Sequence, residues 1–204
     1  MNPIKDHWQK IYLEKPETSF SWYQPYPSFS IQLIQELKLP LSAKIIDIGG
    51  GDSHLVDALL DLGYTNLTVI DIAQAAIDRA KVRLGTKAFS VNWVVTDVLD
   101  FKPSGTFDLW HDRAAFHFLT HETSIAKYKQ IASTSIAKNG TLILATFSEN
   151  GPQKCSGLVI QQYSAIAMQK IFSPNFNLIK TAFHDHQTPS QSAQNFIYCN
   201  FLKT

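Results

Sequence analysis

The run Lys44-Ile-Ile-Asp-Ile-Gly-Gly-Gly51 constrains this chain more than any other feature. A short β-branched run ending in consecutive glycines reads as a buried strand entering a tight turn. Residues 53–62 then set Leu55, Val56, Leu59 and Leu60 at helical spacing, with Gly63 at a C-cap position. Strand, glycine turn and helix in that order open a parallel α/β sheet.

The pattern repeats. Residues 67–71 read as a second strand, 73–84 as an Ala-rich helix closed by Gly85, and 91–96 as a third strand. Residues 107–110 read as a fourth, followed by a helix over 124–137 that stops at Asn139-Gly140, and 141–147 as a fifth. Strands alternating with helices of this length imply right-handed βαβ units. After a helical stretch at 162–172, residues 176–183 and 196–202 form two more strand-like runs. The expectation is a Rossmann-like, doubly wound α/β fold: a mainly parallel seven-stranded sheet ending in an antiparallel hairpin.

With 204 residues, 45% of them hydrophobic, and no Pro/Gly/Ser-rich linker, residues 1–204 are expected to form one domain. The 18 basic and 17 acidic residues balance, and no Lys/Arg stripe provides the footprint of a nucleic-acid binder. Cys155 and Cys199 stand far apart, outside any CxxC arrangement, so neither a disulfide framework nor a zinc site is expected. The pairs His184/His186 and His117/His121 lack a further ligand set, so no metal is expected. The polar first twelve residues, without an apolar signal stretch, and the absence of a run of membrane-spanning length point to a soluble, cytoplasmic protein with no membrane partner.

In such a sheet, ligands bind outside the carboxyl ends of the strands, where strand order reverses. Gly49, Gly50 and Gly51 let a ligand approach the backbone, and the helix that follows offers unpaired N–H groups. Asp71, twenty residues past Gly51, ends the second strand, where a carboxylate accepts from both ribose hydroxyls. Ile72 is placed to lie against an adenine, Asp97 to accept from its amino group, and Val98 to offer a backbone N–H. A nicotinamide fingerprint would need glycine at position 54, where this chain has His54. The competing interpretation makes these residues turn glycines and capping acids.

Ile46-Asp-Ile-Gly-Gly-Gly51, Val69-Ile-Asp-Ile72, Thr96-Asp-Val98, Phe107-Asp-Leu-Trp110 and Asn139-Gly-Thr-Leu-Ile143 together resemble the class I S-adenosylmethionine-dependent methyltransferases. The resemblance implies S-adenosyl-L-methionine as cofactor. It also adds Asp47 to the glycine motif, with Ser53 in place of its last glycine. Trp8, Tyr12 and Trp22 belong to an aromatic segment similar to that of the small methyltransferase-like lysine methyltransferases. By that likeness, residues 1–40 cap the cofactor, and the three rings cover its methionine half and sulfonium. Arg113 stands where those relatives carry lysine, which implies a pairing with the cofactor carboxylate; the rest of that loop departs from theirs.

Methyl transfer is an in-line displacement, in which alignment alone supplies about 7–11 kcal/mol. A nearby base helps an acceptor that must lose a proton. His111, Asp112 and His117, just past the fourth strand, are the candidates; the alternative is a capping Asp and structural histidines. Cys155 is a candidate for lining an acceptor pocket. The compact chain and its closing loops favour a small-molecule acceptor. Protein-lysine methylation is the competing reading, and a catalytically silent cofactor-binding regulatory partner is the reading from another class.

Overall fold

The computed structural model describes residues 3–204; residues 1 and 2, part of the expected cap, lie outside it. The large sheet contains β1 (Lys44–Ile48), β2 (Asn66–Asp71), β3 (Val91–Val95), β4 (Phe107–Arg113) and β5 (Ile136–Phe147). Two short strands, β6 (Lys154–Cys155) and β7 (Leu158–Val159), pair with each other, and β8 (Phe176–Gln187) and β9 (Ala193–Lys203) close the chain. The order β3-β2-β1-β4-β5-β9-β8 makes a seven-stranded sheet, parallel through β5, with β9 antiparallel to both of its neighbours. The expected mainly parallel sheet and closing hairpin are both present.

Alternation along the strands sorts the core onto two faces. Ile45, Leu67, Val69, Leu109, Ile143 and Tyr198 pack with residues of α2 (Ser28–Glu36) and α3 (Leu55–Asp61). Ile46, Ile48, Trp110, Leu142, Leu144 and Phe201 pack on the other face with α5 (Glu122–Ser135) and α6 (Ala165–Phe172). Each fully buried Leu or Ile in these layers contributes about 1.5–3 kcal/mol.

α1 (Pro3–Glu14) lies against α4 (Gln74–Leu84), and Gln9 accepts the Ala75 N–H at 3.1 Å. Trp8 and Tyr12, four residues apart, form its buried stripe. From β1 the chain winds outward to β2 and β3 on one side, while β4 and β5 lie on the other. The switch point therefore falls between the carboxyl ends of β1 and β4.

Several boundaries differ from expectation; β8 runs on to Gln187 and β9 starts at Ala193, which shortens the loop between them. β4 runs three residues beyond Trp110, because Ile48 pairs with Asp112 and Ala145 with Arg113. The helix before β5 ends at Ser135, and β5 begins at Ile136, before the Asn139-Gly140 pair. No helix among the described residues is long and apolar enough to cross a membrane.

Candidate active site

The glycine turn after β1 is held by close packing. Gly49 has φ of 63°, a left-handed conformation suited to glycine. A Cβ on Gly51 would collide with the Asp71 carboxylate and lie 2.7 Å from the Ala76 Cβ. Gly50, whose N–H donates to the Ile70 carbonyl at 3.1 Å, lies beside the Asp47 carboxylate. Asp52, at the end of the turn, takes Arg83 Nη1 at 2.7 Å and Arg79 Nη1 at 3.4 Å, which ties the turn to α4.

Above the turn opens a cleft of about 440 Å³. Asp71, Ile72, Asp97 and Val98 line one end. Asp71 is buried and its Oδ1 accepts the Ala73 N–H at 2.8 Å. Burial pushes its pKa up to about 7, with the Ala73 and Ile72 N–H groups pulling the other way and the Asp47 carboxylate adding to the rise. Asp97 accepts the Leu99 N–H at 2.9 Å.

Trp8, Tyr12 and Trp22 wall the same cleft. Trp8 meets Trp22 and Phe118 edge-on at 5.8 and 5.1 Å, and Phe20 stacks on Trp22 at 4.6 Å. Arg113, Cys155, Leu158 and Val159 also line the cleft. Cys155 is brought there by the β6–β7 pair, and burial pushes its thiol up to about 11.

The three candidate bases are not presented together at this cleft. Because β4 continues through them, His111 and Asp112 face opposite sides of the sheet. His111 has both ring nitrogens engaged: Nδ1 lies 2.7 Å from Asp47 Oδ1 and Nε2 lies 3.0 Å from Ser30 Oγ. It lines only a small adjoining cavity, of about 60 Å³. Asp112 is fully buried; Oδ1 accepts from Ala115 and Phe116 N–H at 3.0 and 3.1 Å, and Oδ2 from the Tyr128 hydroxyl at 2.7 Å. His117 is fully buried against Phe147, and burial lowers its pKa to about 3.

Arg113 is held by uncharged partners. Its guanidinium lies over the Phe196 ring, 4.4 Å from the centroid, with Nε donating to the Tyr198 hydroxyl at 3.2 Å. Nη1 donates to the Trp22 carbonyl at 3.3 Å. The residue thus packs on β9 and also borders the small cavity that Asp47, Gly49 and Gly50 line. Sequence reasoning missed Ser30, Tyr128, Phe196 and Tyr198, whose partners lie 16 to 85 residues away. No local pattern marks such contacts.

Among the described residues no group of three or more His, Cys, Asp or Glu is placed to hold a metal ion.

A parallel sheet wound in this order, with a glycine turn packed on a buried acid at its switch point, defines a nucleoside-cofactor-binding α/β domain. Residues 45–140 match the family described as a methyltransferase domain. Over 122 residues the chain is 29% identical to the eEF1A lysine and N-terminal methyltransferase of Mus musculus, covering 59% of this chain and 17% of that protein. Over 133 residues it is 31% identical to the malonyl-[acyl-carrier protein] O-methyltransferase of Anoxybacillus flavithermus, covering 64% of this chain and 48% of that protein. The chain therefore spans less than half the length of either relative. The N-methyltransferase NodS of Bradyrhizobium japonicum, solved with S-adenosyl-L-homocysteine, shares the fold with a TM-score of 0.72 at 20% identity, over 98% of both chains. Residues 45–140 thus match a methyltransferase domain, and the fold is that of a methyltransferase solved with S-adenosyl-L-homocysteine.

Proposed function

We propose that this protein is a methyltransferase that transfers a methyl group from S-adenosyl-L-methionine to a small-molecule nucleophile. The observation that carries the choice of acceptor is the lining of the cleft. Apart from Asp71 and Asp97, which this reading gives to the cofactor, it offers Phe118, Leu158, Val159, the neutral thiol of Cys155 and one guanidinium, Arg113, whereas a lysine ammonium calls for a carboxylate.

The residues present fit the cofactor. Gly51 lets the turn pack directly against a buried carboxylate, where a Cβ would collide, and that carboxylate has a raised pKa that hydroxyl donors would relieve. In this reading Asp71 holds the ribose, Ile72 and Val98 flank the adenine, and Asp97 accepts from its amino group. Asp47 and Gly49 to Gly51 form the floor under the methionine half, with Trp8, Tyr12 and Trp22 as the aromatic roof. Bound there, S-adenosylmethionine supplies an electrophilic methyl on a positively charged sulfur. The chain's own part is alignment and exclusion of water, with cation–π attraction from the roof.

Protein-lysine methylation is the second reading, favoured by the likeness to an eEF1A lysine and N-terminal methyltransferase. Calorimetric titration with S-adenosylmethionine, S-adenosylhomocysteine and NADH tests the cofactor: micromolar binding of the first two and none of the third is expected. Label transfer from the methyl-labelled cofactor to panels of small acids, thiols and amines, run beside lysine peptides, tests the acceptor. Transfer to peptides alone would reverse the choice, and binding with no transfer anywhere would favour a regulatory partner.

A further inference from the structure

We infer that the acceptor is an anionic small molecule and that its carboxylate docks on Arg113. This rests on the methyltransferase reading above and names the chemistry of its second substrate.

Arg113 is a half-buried cation without a counter-ion. Its three contacts are the Trp22 carbonyl, the Tyr198 hydroxyl and the face of the Phe196 ring, all uncharged. Among the described ion pairs none involves it, and its Nη2 is buried with no hydrogen-bond partner. A desolvated guanidinium with an idle donor is costly unless something arrives to complete it. A planar, fork-shaped donor set matches a carboxylate better than any neutral group.

The imidazoles around it add no second positive charge. His117 is buried, and His186 gives its Nε2 to the Ser21 carbonyl at 2.7 Å. His184 stacks on Phe29 at 4.5 Å. Burial, with the Arg113 charge adding to it, keeps all three imidazoles below their ordinary pKa, near 3 for His117 and near 4 for His186. None of the three imidazoles therefore adds a positive charge beside the guanidinium, and the carboxylates that share its cavities, Asp47 and Asp71 among them, are not within ion-pair distance of it.

Two further observations separate the acceptor from the cofactor as the source of the anion. The carboxylates of the larger cleft, Asp71 and Asp97, stand at the carboxyl ends of β2 and β3, two and three strands away from β4, and the Arg113 guanidinium packs on Phe196 of β9, although the residue also borders the small cavity with Gly49 and Gly50. The polar residues that would serve as bases are already engaged, His111 at both nitrogens and Asp112 at both oxygens. A carboxylate oxygen is already deprotonated at neutral pH, so an acceptor that attacks the methyl through it needs no protein base, and the sulfur leaves as neutral S-adenosylhomocysteine.

The test uses the full chain saturated with S-adenosylhomocysteine and three probes of one shape: phenylacetate, phenylacetamide and phenethylamine. Calorimetry should show phenylacetate binding, at least about tenfold weaker binding of the amide, and no binding of the amine. Arg113→Gln should weaken phenylacetate by at least about tenfold while S-adenosylhomocysteine affinity stays within about threefold, and Arg113→Lys should restore part of the loss. Loss of S-adenosylhomocysteine affinity in Arg113→Gln with phenylacetate unchanged would overturn the inference and assign Arg113 to the cofactor carboxylate. Equal binding of acid and amide, preference for the amine, or no probe binding to the S-adenosylhomocysteine complex would overturn it alone. Failure of the unsubstituted chain to bind S-adenosylhomocysteine would overturn the methyltransferase reading and this inference with it.

Discussion

His111 Nδ1 lies 2.7 Å from Asp47 Oδ1, across two neighbouring parallel strands on which the two residues stand directly opposite each other. The other ring nitrogen reaches Ser30 in α2 at 3.0 Å, so one imidazole joins β1, β4 and the helix that covers them. The carboxylate at the base of the glycine turn is thereby held in place by a side chain that has no nitrogen left to take a proton from an acceptor. Replacing His111 with Ala leaves Asp47 buried without this partner and should cost about 1–3 kcal/mol of stability, read by denaturant or thermal unfolding. A His111→Ala protein of unchanged stability that binds cofactor but does not turn over would make His111 the base after all.

Asp112 has an equally structural position. Its Oδ2 accepts the Tyr128 hydroxyl at 2.7 Å, and that hydroxyl in turn accepts from Trp110 Nε1 at 3.0 Å. Tyr128→Phe should lower stability by about 1–3 kcal/mol while leaving kcat of the folded fraction unchanged. A large fall in kcat at full stability would show that Asp112 takes part in the chemistry.

Asp71 should make cofactor binding depend on pH. Its folded pKa of about 7 lies above the ordinary carboxylate value, so the folded chain retains a proton that the unfolded chain has released. The contribution of this residue to stability therefore falls as pH rises from about 4 to 7. Cofactor affinity should change in the opposite sense, because ribose hydroxyls donate to the ionised form. S-adenosylhomocysteine should bind more tightly at pH 8 than at pH 6 and release protons on binding, seen as buffer-dependent calorimetric heats. Asp71→Asn should bind about tenfold or more weakly and lose that pH dependence; a pH profile identical to the parent's would remove Asp71 from the ribose contact.

Trp22 stacks on Phe20, meets Trp8 edge-on and gives its carbonyl to Arg113. Trp22→Ala should raise the S-adenosylhomocysteine dissociation constant about 3- to 10-fold, in line with the loss of aromatic contacts of 0.5–1.5 kcal/mol. The circular dichroism of the sheet should be retained. Global unfolding instead would make Trp22 a core residue rather than part of a roof.

β1, β2 and the second half of β5 were legible because each is a short apolar run that needs burial on both faces, as Ile45, Ile46 and Ile48 show at 0–1% exposure. The glycine turn and Asp71 were legible because the residues at the carboxyl ends of β1 and β2 come in register as soon as the strands pair. His111-Asp112-Arg113 was misread as the start of a loop. Three consecutive polar residues look like solvated chain, but here they continue β4 with Ile48 and Ala145 as neighbours. α1 appeared only as a crowd of rings, although Trp8 and Tyr12 at i and i+4 already carried a helical signal.

The sequence by itself determined the strand–turn–helix succession, the place of the switch point and which acids stand at the strand ends, because these follow from periodicity and from the few residues that tolerate a tight turn. Only the tertiary structure decided what each polar side chain does. Asp47 meets Ser30 through His111, Asp112 meets Tyr128, and Arg113 lies over Phe196 with no counter-ion. Those pairings join residues far apart in the chain, and a buried charge acquires its role from the partner that packing brings to it, or from the lack of one.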